Sequence, residues 1–306
     1  MTMANKRAEH RAKREKGFLK KISKWGVALA LLVQPQKKRQ LKRALKEKFY
    51  ADNSNVFARD SLLIDNIPFE QCAALARPPT RNTAANKRLA VYSVYFGSSA
   101  NKTLGEVPVP TGVDHYFISN NQEVLRRAAA LGWIPRLLDL EVSGNVILSA
   151  HQSKIPKALP HRFAFLKDYR YLLYLDDKIR LDSHAFTGLI SVLESSGAPL
   201  ALKRHPSLDS NILEEFGEAM LQVRYRAQSK QIITYVTEEL GSGYRLDSGR
   251  LFVTGIILRD MTHPEVNNIN ELWYSHILRC GIECQIAFDF VAQRYPNIAE
   301  LPSDIG

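Results

Sequence analysis

Residues 168–181 read DYRYLLYLDDKIRL. Tyr171 to Leu175 is a short aromatic and aliphatic run of strand type, and it stops at two adjacent carboxylates, Asp176 and Asp177. In an open α/β sheet, ligands sit in the crevice beyond the carboxyl ends of the strands, so carboxylates placed there face a site rather than the core. Hard oxygen ligands at such an edge suit Mg²⁺ or Mn²⁺ carrying a phosphate group. The local alternative is that the pair opens a turn and caps the helix expected from about Ser183.

On either side of this stretch, strand and helix patterns alternate. Residues 88–96, closed by Gly97-Ser98-Ser99, then 113–119, 133–140, 199–202 and 251–258 read as strands. Residues 122–131, 145–158, 183–196, 212–229, a second stretch from there up to 240, 269–280 and 283–294 read as helices. This order predicts a mainly parallel α/β sheet flanked by helices, with its ligand loops on one edge. The glycines of Gly241-Ser242-Gly243 are too few and wrongly spaced for a dinucleotide fingerprint.

The net charge of +11 is not spread over the chain. Residues 1–50 hold 16 Lys and Arg against three Glu, which leaves residues 51–306 with a net charge of −2. An anionic surface is therefore met by the N-terminal arm. There Phe18, Ile22, Trp25 and Leu29 form one apolar stripe on a basic helix, suited to the interface of an anionic membrane. A solvated arm is the alternative. The apolar run 25–33 is far shorter than the ~20 residues a spanning helix needs. Gln34-Pro35-Gln36 and further lysines follow it where a signal peptide would have small residues, so an uncleaved peripheral anchor on the cytoplasmic face is expected. A second basic helix is read over residues 37–49. Pro78-Pro79 and the polar run 80–87 read as a linker, giving an arm (1–50), a connecting segment (51–87) and a main domain (88–306). No helix-turn-helix, zinc or RNA-binding signature is present, so sequence-specific nucleic-acid binding is not expected. Cys72, Cys280 and Cys284 make no disulfide framework, and core packing accounts for the last two.

Five blocks in order resemble one family: VYSVYFG at 91–97; Pro156-Lys157-Ala158-Leu159-Pro160-His161; Leu173 to Leu181; Lys203-Arg204-His205-Pro206 with Glu214-Glu215; and Gly255 to Arg259 with Asn270 to Tyr274. They are similar to the glycosyltransferase-like domain shared by plant mucilage-related Golgi proteins, a plant protein described as an alkaline ceramidase, and bacterial polysaccharide-synthesis proteins. The resemblance covers about residues 88–294 and implies a GT-A-like fold, in which an Asp at a strand end helps hold a divalent metal against a nucleotide-sugar diphosphate. Asp176 and Lys178 fall on the family's aspartate and lysine. Three positions depart from the pattern: Glu283-Cys284-Gln285 stands where the family usually has Arg-Asp-Gln, Val253 where an acidic residue is expected, and Ser153 where arginine is common.

These readings define the expected site. The reaction is transfer of a sugar from a nucleotide sugar to a polysaccharide or glycolipid acceptor, assisted by Mn²⁺ or Mg²⁺. Asp176 and Asp177 are the expected metal ligands with His263 as a third, because neutral imidazole binds Mn²⁺. Asp176 supports the leaving group, while Glu283, Glu215 or His205 supplies the base. Lys157, His161 and Lys178 are the expected donor-binding residues, together with Tyr92 to stack on a base and Asp114 to meet a ribose. Each has a bland alternative in a turn, a helix face or the core. The competing functions are a degenerate non-catalytic adaptor at a membrane or nucleic acid, and a metal-dependent hydrolase.

Overall fold

Alternation of side chains fixes how the strands are buried. In the computed structural model, β1 (Lys87–Tyr95) sends Tyr92 and Val94 to one face and Val91 to the other. β4 (Tyr169–Leu175) divides Leu172 and Tyr174 from Tyr171, Leu173 and Leu175 in the same way. Both faces of these strands are therefore covered, as apolar runs without a polar side require. The structure describes residues 87–98, 104, 113–177, 179, 181, 185–206, 208, 211–303 and 305. These belong to the second of two compact units, which begins at Val56. The basic arm, its expected helices, the linker before Lys87 and Lys178 lie outside the described residues.

The sheet has the order β3-β2-β1-β4-β6-β5-β7, with β2 Asp114–Ser119, β3 Ile134–Leu137, β5 Leu200–Arg204, β6 Phe252–Asp260 and β7 Ala299–Leu301. All strands run the same way except β6, which is antiparallel to both β4 and β5. The expected α/β sheet, mainly parallel and flanked by helices, is the one observed. Reversal of β6 places its first residues, rather than its last, beside the carboxyl end of β4, where Leu175 pairs with Ile256.

Helices cover both faces of the sheet. Asn145 caps α2 (Val146–Ala158) by accepting from the Ile147 and Leu148 amides, after α1 (Gln122–Ala130). On the opposite face, Phe186, Leu189 and Leu193 of α3 (Ala185–Ser196) pack on Leu173 and Ile256. The single helix expected over 212–229 is instead α4 (Ile212–Ala219), α5 (Val223–Arg226) and the start of α6 (Ser229–Gly241). Its apolar spacing is continuous, but Leu221 is buried while Val223 and Tyr225 pack on Ile147 and Ile282, and one straight helix cannot serve both. α7 (Val266–Cys280) and α8 (Cys284–Arg294) close the fold, with Trp273 donating to the Cys284 carbonyl at 3.0 Å. Cys280 and Cys284 are both buried and unbridged. Among the described residues, no helix is long and apolar enough to cross a membrane.

Candidate functional site

β4 delivers Asp176 to the carboxyl edge of the sheet, where its amide donates to the Gly255 carbonyl of β6 at 2.8 Å. Glycine is needed opposite it. A Cβ at position 255 would lie 3.2 Å from Asp176 Oδ2 and 2.8 Å from Ile179 Cδ1. Asp176 Oδ1 accepts from the Tyr174 hydroxyl at 2.6 Å and from Lys157 Nζ at 3.3 Å. The Lys157 side chain is 4% exposed and that of Asp176 30%. Burial alone would depress the lysine, but the Asp176 carboxylate, with Cys284 and Glu283 beyond it, holds its pKa above the ordinary value. The ammonium also lies 4.9 Å from the Tyr174 ring centre.

A buried layer supports this pair. Arg259, 0% exposed, donates to the Tyr92 hydroxyl (3.1 Å), the Lys157 carbonyl (2.8 Å) and Asn270 Oδ1 (3.0 Å). Burial lowers the arginine's pKa and raises that of Tyr92. Asn270 Nδ2 donates to His161 Nδ1 at 3.4 Å, which leaves Nε2 to donate to Glu271 at 2.7 Å. Arg162 grips the same carboxylate with two nitrogens. Tyr92 is 0% exposed, and its ring meets Tyr174 edge-on at 5.3 Å. It cannot stack on a base. Tyr92 and His161 thus hold Lys157 from behind instead of lining the edge.

A second charged pair stands nearby. His205 follows β5, and its Nδ1 accepts from the Leu208 amide at 2.9 Å, so the neutral ring carries its proton on Nε2. That nitrogen faces Glu215 Oε2 at 3.7 Å. Glu215, from α4, is 9% exposed at its side chain, and its Oε1 accepts from Gln285 Nε2 at 2.7 Å. Gln285 Oε1 accepts in turn from the Thr254 amide at 3.3 Å, next to Gly255. One glutamine therefore connects the Glu215 group to the strand that flanks Asp176. Glu283 plays another part: it caps α8, accepting from the Gln285 amide at 3.0 Å, and burial raises its pKa. Cys284 is buried with Sγ 3.3 Å from Thr254 Oγ1. Gln285 thus meets two carboxylates, Glu283 through its backbone amide and Glu215 through its side chain.

Two expected residues fall on the wrong edge of the sheet. Asp114 begins β2 and accepts from Tyr169, the first residue of β4, so it sits at the amino edge away from Asp176. His263 follows the far end of β6, in a turn where its Nδ1 accepts from the Glu265 amide at 3.2 Å. Reversal of β6 puts it at that same remote edge. The expected trio of Asp176, Asp177 and His263 is thus not assembled. Among the described residues, no group of three His, Cys, Asp or Glu comes together to hold a metal. One oxygen of Asp176 already serves two protein donors. The described residues therefore do not assemble the expected three-ligand centre. Asp177 lies in the turn after Asp176.

Sequence reasoning did not single out Tyr174, Thr254, Gln285 or Arg259 for the site. Gly255 and Arg259 were within a resembling block, but their spacing carries no sign that one makes room for Asp176 and the other seats Lys157.

Residues 140–301, just over half of the chain, match the family model described as the TOD1/MUCI70 glycosyltransferase-like domain. No curated protein matches. Among solved structures, mouse xyloside xylosyltransferase 1 in its apo form aligns at 11% identity and a TM-score of 0.38, over 69% of this chain and 83% of that one. The mannosyltransferase Ktr4p from S. cerevisiae aligns at 10% identity and 0.37, over 88% and 79%. S. aureus TarS 1–349 in complex with UDP aligns at 11% identity and 0.36, over 71% and 59%.

Proposed function

Because the chain belongs to the TOD1/MUCI70 glycosyltransferase-like family, we propose that it moves a sugar from a nucleotide-sugar donor to a polysaccharide or glycolipid acceptor. The observation that carries this reading is the meeting of two charged pairs, Lys157 with Asp176 and His205 with Glu215, beside Thr254-Gly255 at the carboxyl edge of the sheet. The acceptor oxygen attacks the anomeric carbon, and the bond from that carbon to the diphosphate oxygen breaks with its electron pair leaving on the diphosphate. The acceptor proton passes to the Glu215 carboxylate. His205 Nε2 faces that carboxylate and orients it, and Gln285 fixes its other oxygen. Positive charge at Lys157 stabilises the departing diphosphate. Asp176 sets the position of the ammonium. The basic arm, residues 1–50, holds the enzyme at an anionic membrane surface on the cytoplasmic side, close to a lipid-linked acceptor.

A panel of UDP-, GDP-, CDP- and dTDP-sugars, with Mn²⁺, Mg²⁺ or EDTA, tests the reading through nucleotide release by wild type, Asp176→Asn and Glu215→Gln. Release of one nucleotide by wild type, reduced at least about a hundredfold in both variants, is expected. Stimulation by a glycan or glycolipid acceptor marks transfer; release that water alone sustains marks a hydrolase. Well-folded wild type that releases no nucleotide from any donor overturns the proposal in favour of a non-catalytic adaptor.

A further inference from the structure

The same edge carries more positive charge than the Lys157–Asp176 pair accounts for. On α2, Ala150, Lys154 and Lys157 are four and three residues apart and share one stripe of the helix. The lower end of that stripe is fixed: Ala150 and Ile147 pack with Ile282, Val223 and Tyr225. This contact brings Arg224, between the last two, against the helix that bears both lysines. The Arg224 guanidinium lies 4.8 Å from the Tyr225 ring centre and donates from Nη2 to the Tyr225 hydroxyl at 3.3 Å. Its Nε is buried and has no hydrogen-bond partner among the described residues.

Lys154, Arg224 and Lys157 each reach Glu283 electrostatically, and its carboxylate is already engaged in capping α8. Among the described residues Lys157 Nζ has a single hydrogen-bond acceptor, Asp176, although an ammonium has three N–H groups to place. A buried guanidinium nitrogen without an acceptor and a buried ammonium with one are costly unless an anion completes them.

We propose that Lys154, Lys157 and Arg224 form a diphosphate-binding subsite, with the Tyr225 hydroxyl beside it, which grips the leaving group of the donor without a divalent cation. Two linked phosphates carry two to three negative charges and several acceptor oxygens, which suit Lys154, the Arg224 guanidinium and the N–H groups that Lys157 does not give to Asp176. Arg224 supplies the planar fork that phosphate oxygens favour. The inference rests on the transferase reading and specifies what holds the donor.

Titration calorimetry of the full chain with UDP, GDP, CDP, dTDP and inorganic pyrophosphate, all in EDTA, tests it. Wild type should bind one nucleoside diphosphate, and pyrophosphate more weakly. Lys154→Met and Arg224→Met, both at partly exposed positions, should each weaken binding roughly tenfold or more. Arg224→Lys should recover part of the loss, and raised salt should narrow the gap between wild type and variants. Unchanged affinity in both methionine variants overturns the subsite and leaves the transferase reading standing. Binding that EDTA abolishes in wild type also overturns it, because the cations would then not suffice. If wild type binds none of the nucleoside diphosphates with or without Mn²⁺, both readings fall.

Discussion

Replacing Asp289 by Asn should change how stability depends on pH. Asp289 lies on α8, 1% exposed, accepting from Ser248 Oγ at 2.6 Å and Gln293 Nε2 at 2.9 Å. Burial pushes its pKa up from 3.8 to about 6, against the pull of those two donors. The folded state therefore holds a proton that the unfolded chain releases at lower pH. The stabilisation from this group is present below about pH 4 and is lost as pH rises through about 6. A shift of about two units corresponds to roughly 3 kcal/mol. His151 on α2 has the opposite sign. Burial, aided by Lys154, lowers its pKa from 6.5 to about 4, so its contribution is present above about pH 6.5 and is lost as pH falls through about 4. The two slopes nearly offset each other between pH 4 and 6. Urea denaturation of wild type, Asp289→Asn and His151→Gln across that range separates them. Asp289→Asn should gain about 3 kcal/mol on wild type between pH 4 and 7, and His151→Gln should gain a similar amount in the other direction. A constant offset from wild type for Asp289→Asn at every pH would refute the argument.

Two further outcomes follow from the packing and the charge distribution. Gly255→Ala should cost about 1 kcal/mol of stability, since Ile179 Cδ1 can swing aside, but a Cβ 3.2 Å from Asp176 Oδ2 displaces the carboxylate. Its nucleotide release should drop roughly tenfold or more while its Tm barely moves; a proportionate loss of both would count against a positioning effect. For the arm, flotation with anionic vesicles should show the full chain bound at low salt and released as ionic strength rises, with a variant lacking residues 1–50 unbound throughout. Equal binding by both proteins would remove the arm from that role.

The Asp176 strand, its end at two carboxylates and the α/β alternation were readable in the sequence because they depend on local pattern: a strand-type run must stop where charge begins, and helices carry their own periodicity. Lys157 was also found, through the block it shares with the family. The direction of β6 was not readable. An apolar run such as residues 252–260 looks the same whichever way it enters a sheet, and only packing between β4 and β5 reverses it. That single reversal sends His263 to the far edge and brings Gly255 to Asp176. The short β7 carries too little pattern to be seen alone and exists by pairing with β5. The role of Glu283 likewise turned on a cap whose geometry needs the helix start in place. Residue type and local pattern are enough to mark which side chains can bear the chemistry. Tertiary structure decided which of them meet, because contacts between Lys157 and Asp176, or between Gln285 and Glu215, span 19 and 70 residues and are set by how the helices pack on the sheet.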